Sequence, residues 1–111
     1  MAISAKNKDS IRKKINNQGQ YKNGEKITIS PVHVHTNEEI KSIRESLSMS
    51  QITFAKVLGT SHRTVQDWER GIQSPSSTVH RFLEIIALDN GIFEKHSIVK
   101  KQEEKSSSID R

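Results

Sequence analysis

Residues 50–71 read SQITFAKVLGTSHRTVQDWERG. Two glycines, Gly59 and Gly71, each follow a run with helical spacing, and between them lies Trp68, the only tryptophan in 111 residues. Ser50 is placed to cap a first helix, with Phe54, Ala55 and Leu58 inward and Gly59 as the left-handed residue that ends it. Ser61 is placed to cap a second helix that runs to about Arg70 and stops at Gly71. At 3.6 residues per turn, Ser61, Val65 and Trp68 share one face of this second helix. His62, Arg63, Gln66, Asp67 and Arg70 share the opposite face. One face is apolar, and the other carries donors and acceptors on short to medium side chains. Trp68 is therefore read as a core anchor that holds the polar face outward.

Helical patterning extends on both sides. Upstream, TNEEIKSIRESL (36–47) opens with a capping box, Thr36 and Glu39, and puts Ile40, Ile43 and Leu47 on one face. Downstream, IQSPSS (72–77) reads as a loop, and Ser76 or Ser77 opens a further helix that closes near Asn90-Gly91. Val79, Phe82, Leu83 and Ile86 point inward on that helix, and Ile92 and Phe93 can dock a last turn. Gly59-Thr60 makes a tight turn, and Ala55 is small where the two central helices must approach. That is a helix-turn-helix arrangement, in which the second helix enters the major groove of DNA. The expected fold class is all-α, a small bundle of four to five helices with a polar N-terminal arm. The expected domains are a flexible basic arm over 1–35, the helix-turn-helix domain over 36–93 and a polar tail over 94–111.

Composition agrees with a small domain flanked by tails. Hydrophobic residues make up 32% of the chain and charged residues 28%, too little apolar surface to bury a core along the whole length. With no cysteine, disulfides, thiolate metal sites and cysteine nucleophiles are excluded. No apolar run approaches the roughly 20 residues of a membrane span, and the N-terminus lacks the apolar core of a signal peptide. A cytoplasmic protein is expected, with no membrane partner. Net charge is +5, and residues 1–35 alone carry seven Lys/Arg against two Asp/Glu. Residues 36–90 carry six against seven, so the positive excess sits in the arm, where it suits a polyanion or simply keeps a tail solvated. Within the arm, Ile11 and Ile15 are four apart and can form a short amphipathic helix, and Asn23-Gly24 signals a turn. KITISPVHVHT (26–36) alternates β-branched residues and reads as extended chain or an edge strand, since Pro31 forbids a central strand.

Residues 49–76, MSQITFAKVLGTSHRTVQDWERGIQSPS, resemble the Xre, or phage-repressor-like, helix-turn-helix family. The matching positions are Ser50-Gln51, Phe54-Ala55, Leu58-Gly59, Ser61, Thr64-Val65 and Glu69-Arg70-Gly71, within a likeness covering about 37–88. The wording is similar to the HigA-like antitoxin branch. The resemblance implies a sequence-specific DNA-binding regulator, a homodimer on a pseudo-palindromic operator. Gln51, Ser61, Thr64 and Arg70 would contact phosphates, and His62, Arg63, Gln66 and Asp67 would face base edges. Arg44 would pair with Glu69 as a partly buried structural ion pair. The antitoxin branch also implies a toxin RNase as partner, bound by the arm through Ile11, Ile15, Tyr21, Ile27, Ile29, Val32 and Val34. Because the arm is basic and such toxins are typically basic too, a phage or mobile-element repressor whose arm follows DNA stays open as the alternative. Ile52, Ile92, Phe93 and the arm are all candidates for the dimer interface.

Other chemistry has little support. His33 and His35 alternate on one side of an extended segment, but no third ligand stands near, and zinc takes three or four protein ligands. No metal or other cofactor is expected. There is no Gly-rich phosphate loop, Gly-x-Ser-x-Gly or His-Glu-x-x-His, so an enzyme is not expected either.

Overall fold

The computed structural model describes residues 17–102. Its chain divides into two compact units, Met1–Val32 and His33–Arg111. Ile11, Ile15 and the short helix expected around them lie outside the described residues, as do residues 103–111, the second half of the expected tail.

The second unit is helical. Helix α1 spans Asn37–Ser46, α2 Gln51–Leu58, α3 His62–Arg70, α4 Ser77–Leu88 and α5 Ile92–Lys95. Each of the first four begins at a hydroxyl N-cap. Thr36, Ser50, Ser61 and Ser76 each accept a hydrogen bond from the backbone N–H three residues on. At α1 the capping box is complete, because the Glu39 carboxylate also accepts from the Thr36 N–H at 2.8 Å. Both α2 and α3 end at a left-handed glycine, Gly59 at φ +78° and Gly71 at φ +76°. These two stops set the short α2–α3 connection and release the chain into the 72–76 loop.

The core collects one face from every helix. Ile40 and Ile43 of α1, Phe54 and Ala55 of α2, Val65 and Trp68 of α3, Leu83 and Ile86 of α4, and Phe93 of α5 are buried together. Val79 and Phe82 pack at its edge, and the Phe82 and Phe93 rings meet edge-on with centroids 5.9 Å apart. Phe93 is only 1% exposed, so it is core and not available to a dimer partner. Val99 also packs against the cluster, beyond the end of α5.

The first unit corrects the all-α expectation. Strands β1, Gln18–Gln20, and β2, Lys26–Thr28, form an antiparallel hairpin with Gly19 opposite Ile27. The Asn23-Gly24 signal marks its turn: Gly24 stands at φ +92° and its N–H donates to the Tyr21 carbonyl at 2.9 Å. A Cβ on Gly19 would lie 3.0 Å from Ile29 Cδ1, so glycine lets that isoleucine close over β1. The sequence hides β1 because Gln-Gly-Gln has no β-branched or aromatic residue. Of the extended segment read over 26–36, only Lys26–Thr28 pairs as strand.

Candidate nucleic-acid interface

The placement of α3 follows from its two buried side chains. With Val65 and Trp68 in the core, the opposite face turns away from the protein. Arg63 is open on that face, its side chain 80% exposed, and its Nε donates to Asp67 Oδ1 at 3.3 Å, one turn on. The Asp67 carboxylate is mostly covered, so the acid a phosphate backbone would repel is partly neutralised by its neighbour. Gln66 is half-buried and Arg70 exposed. Ser61 and Thr64 engage each other: the Ser61 hydroxyl accepts from the Thr64 N–H at 3.0 Å, and the two hydroxyl oxygens lie 2.8 Å apart.

Behind this face runs a polar network through α1, α2 and α3. Arg44 Nε donates to Glu69 Oε2 at 2.7 Å and Arg44 Nη2 to Glu69 Oε1 at 3.0 Å, a bidentate pair with both side chains largely buried. The third guanidinium nitrogen, Nη1, donates to the Met49 carbonyl at 2.9 Å and so pins the turn between α1 and α2. Burial pushes the Glu69 carboxyl up. Hydrogen bonds from Arg44 and Gln51, with the charges of Arg44 and Lys41, outweigh burial and hold it below the usual carboxylate value. The Arg44 guanidinium is raised by its hydrogen bonds to Glu69, against the opposing effect of burial. Both groups therefore stay charged.

Gln51 is the link that sequence reading missed. Its Nε2 donates to Glu69 Oε1 at 3.0 Å, and its Oε1 lies 3.2 Å from His62 Nε2. The second Nε2 hydrogen makes no bond among the described residues. His62 is thus tied back to α2 instead of standing free on the outer face. No spacing rule pairs residues 51, 62 and 69, because the pairing depends on how α2 packs on α3.

A second missed feature is a pair of buried histidines. The His35 N–H donates to His80 Nδ1 at 3.1 Å, the two Nδ1 atoms lie 3.1 Å apart, and the rings stack. His80 precedes Leu83 by three and Ile86 by six, and that helical spacing is the signal by which the sequence marks it for the inner face of α4. Among the described residues, no three His, Asp or Glu are grouped to hold a metal ion. No helix among them is long and apolar enough to cross a membrane.

Residues 40–79, from the middle of α1 to the start of α4, match the family model described as helix-turn-helix. Over these residues the chain carries a helix-turn-helix domain. A curated relative is "Antitoxin HigA-2" of Vibrio cholerae serotype O1 (strain ATCC 39315 / El Tor Inaba N16961), 35% identical over 68 residues. That alignment covers 55% of this chain and 65% of the relative, so the helix-turn-helix protein matches somewhat less than two thirds of the relative's length. In helix-turn-helix motifs that bind DNA the second helix enters the major groove, and α3 holds that place in the order of this chain.

Proposed function

We propose that this protein is a sequence-specific DNA-binding transcriptional regulator, a binding protein and not an enzyme, acting as a dimeric repressor of its own promoter. The observation that carries the reading is α3 itself: Val65 and Trp68 anchor it, while Arg63, Gln66 and Arg70 line the other side. Arg63 would grip the O6/N7 edge of guanine, and Gln66 would pair with adenine. His62 and Asp67 would face base edges beside them. Gln51, Ser61, Thr64 and Arg70 would hold phosphates, with the amides at the α2 and α3 N-termini adding to them. A homodimer would place two copies of α3 about one helical turn, roughly 34 Å, apart on a pseudo-palindrome.

The likeness to a HigA antitoxin supports a second activity for the same chain, neutralising a toxin through the N-terminal arm. Tyr21 and Ile29 are exposed and Ile27 and Val32 half-buried in the first unit, and Val34 is exposed at the start of the second. The +5 charge of residues 1–35 favours the other reading of the arm, a repressor whose lysines follow DNA phosphates with no toxin involved.

Fluorescence anisotropy on the DNA upstream of the protein's own gene tests the regulator. Specific binding is expected, with unlabelled upstream DNA competing far better than random duplex. Equal competition by both would remove the sequence-specific reading.

A further inference from the structure

The network behind α3 determines which way every polar group in it points. Glu69 is an ionised carboxylate and can only accept. The Gln51 group facing it must be the amide nitrogen, which turns the Gln51 carbonyl toward His62. That carbonyl can only accept, so His62 Nε2 must carry the hydrogen. In a neutral imidazole the other nitrogen, Nδ1, is then an unprotonated acceptor. His62 Nδ1 makes no hydrogen bond among the described residues, and His62 opens α3 at its first position. The order of donors and acceptors starts at Arg44, whose two donors fix the Glu69 carboxylate.

We propose that Arg44, Glu69 and Gln51 act in series to hold His62 in its Nε2–H form, so that Nδ1 selects a base that presents an exocyclic amine in the major groove, adenine or cytosine, at one operator position. The proposal rests on α3 being the DNA-reading helix. In the major groove adenine N6 and cytosine N4 donate, whereas guanine presents N7 and O6 and thymine O4, all acceptors. An acceptor on His62 meets a donor in the first two cases and another lone pair in the others. Gln51, Glu69 and Arg44 are positioning residues here, since they act through His62.

Two measurements test this on the full chain at pH 8, where an ordinary imidazole is uncharged. Long-range 1H–15N correlation, with the His62 signals assigned by their loss in His62→Ala, should show the Nε2–H tautomer alone. Gln51→Ala should give a mixture of both forms. A majority of Nδ1–H in the wild type, or a single unchanged tautomer in Gln51→Ala, overturns the relay. Selection from a random duplex pool should then yield a motif with one adenine-or-cytosine position. His62→Ala and Gln51→Ala should relax that position by roughly fivefold or more, leaving the other positions intact. If Gln51→Ala lowers affinity but leaves that preference unchanged, Gln51 is a phosphate contact only and the proposal fails. A pool that yields no motif at all sinks the DNA-reading function and the base preference with it, while the tautomer measurement still decides the relay by itself.

Discussion

Arg44 and Glu69 are where a single residue matters most. Each is largely buried, and each leaves an unpaired charge behind if the other is removed. Arg44→Leu should destabilise the protein by about 3 kcal/mol by denaturant unfolding, because Glu69 and the Met49 carbonyl both lose their donor. Adding Glu69→Met should restore much of that loss, since a buried pair replaced by apolar groups of similar volume is often near neutral. A double variant no better than the single one would show that the arginine matters for packing and not for charge. The same double variant removes the acceptor that orients Gln51, so it should fold yet read DNA with relaxed sequence preference. Arg63 is the opposite case, open to solvent and bonded among the described residues only to Asp67, so its removal should leave stability almost unchanged. Arg63→Ala should instead cost about 1–3 kcal/mol of discrimination at one base position, read by competition with base-substituted operators. Uniform weakening on every sequence would make Arg63 a phosphate contact.

At the scale of elements, the caps carry most of what was legible from sequence. Thr36, Ser50, Ser61, Ser76, Gly59 and Gly71 are local devices, and each acts through backbone atoms within three or four residues of itself. Such features can be read without knowing the tertiary fold. Gly59 gives a clean test because a Cβ there would touch nothing within 4 Å, leaving the cost entirely in its φ of +78°. Gly59→Ala should therefore cost about 1–2 kcal/mol in thermal unfolding, with no change in the base preferences of α3. What stayed hidden joins elements distant in sequence: Gln51 to Glu69 and His62, and His35 to His80 across 45 residues. The His35–His80 contact fastens the start of α1 to α4. His80 Nδ1 accepts from a backbone N–H, so that nitrogen must be unprotonated for the contact to exist. Burial first, and the charge of neighbouring His33 next, lower the proton affinity of both rings, while Glu39 and Glu84 pull His35 the other way. Because the folded values lie below the ordinary 6.5, the folded state prefers the neutral rings. Their stabilisation is present above that value and is lost as pH falls through the lowered folded values. Stability should thus decline from about pH 6.5 downward, before the carboxylates Glu39 and Glu69, also held low, begin to be lost below their ordinary 4.5. His80→Asn keeps an acceptor that cannot be protonated, so its stability should be lower at pH 7.5 but flatter between 7 and 5. An unchanged slope would place the pH dependence elsewhere.

For the whole molecule, the division at Val32–His33 separates two kinds of sequence. Every buried residue of the core cluster falls between Ile40 and Phe93, within the second unit. The first unit holds a three-residue-stranded hairpin, and an isolated hairpin of that size is marginally stable in water. Composition also differs between them, because positive charge without matching apolar content cannot build a core. Sequence reading placed the boundary at Thr36, and the compact unit begins three residues earlier. The difference comes from the buried His35 side chain, which alternation of His33 and His35 could not assign to a partner on α4. Removing residues 1–32 should accordingly leave helicity per residue over 33–111 intact and shift the unfolding midpoint by no more than a few degrees. The same truncation separates the two readings of the arm. Residues 1–32 carry seven Lys/Arg, and each one that neutralises a phosphate adds about 0.9 to the slope of log affinity against log salt. If the arm follows DNA, the truncated chain should bind with a slope flatter by roughly 2–4, and the difference between the two chains should vanish at high salt. If the arm is reserved for a protein partner, both chains should bind the operator with one slope. The arm would then show its purpose only when a toxin encoded beside the gene is added to the full-length chain and not to the truncated one.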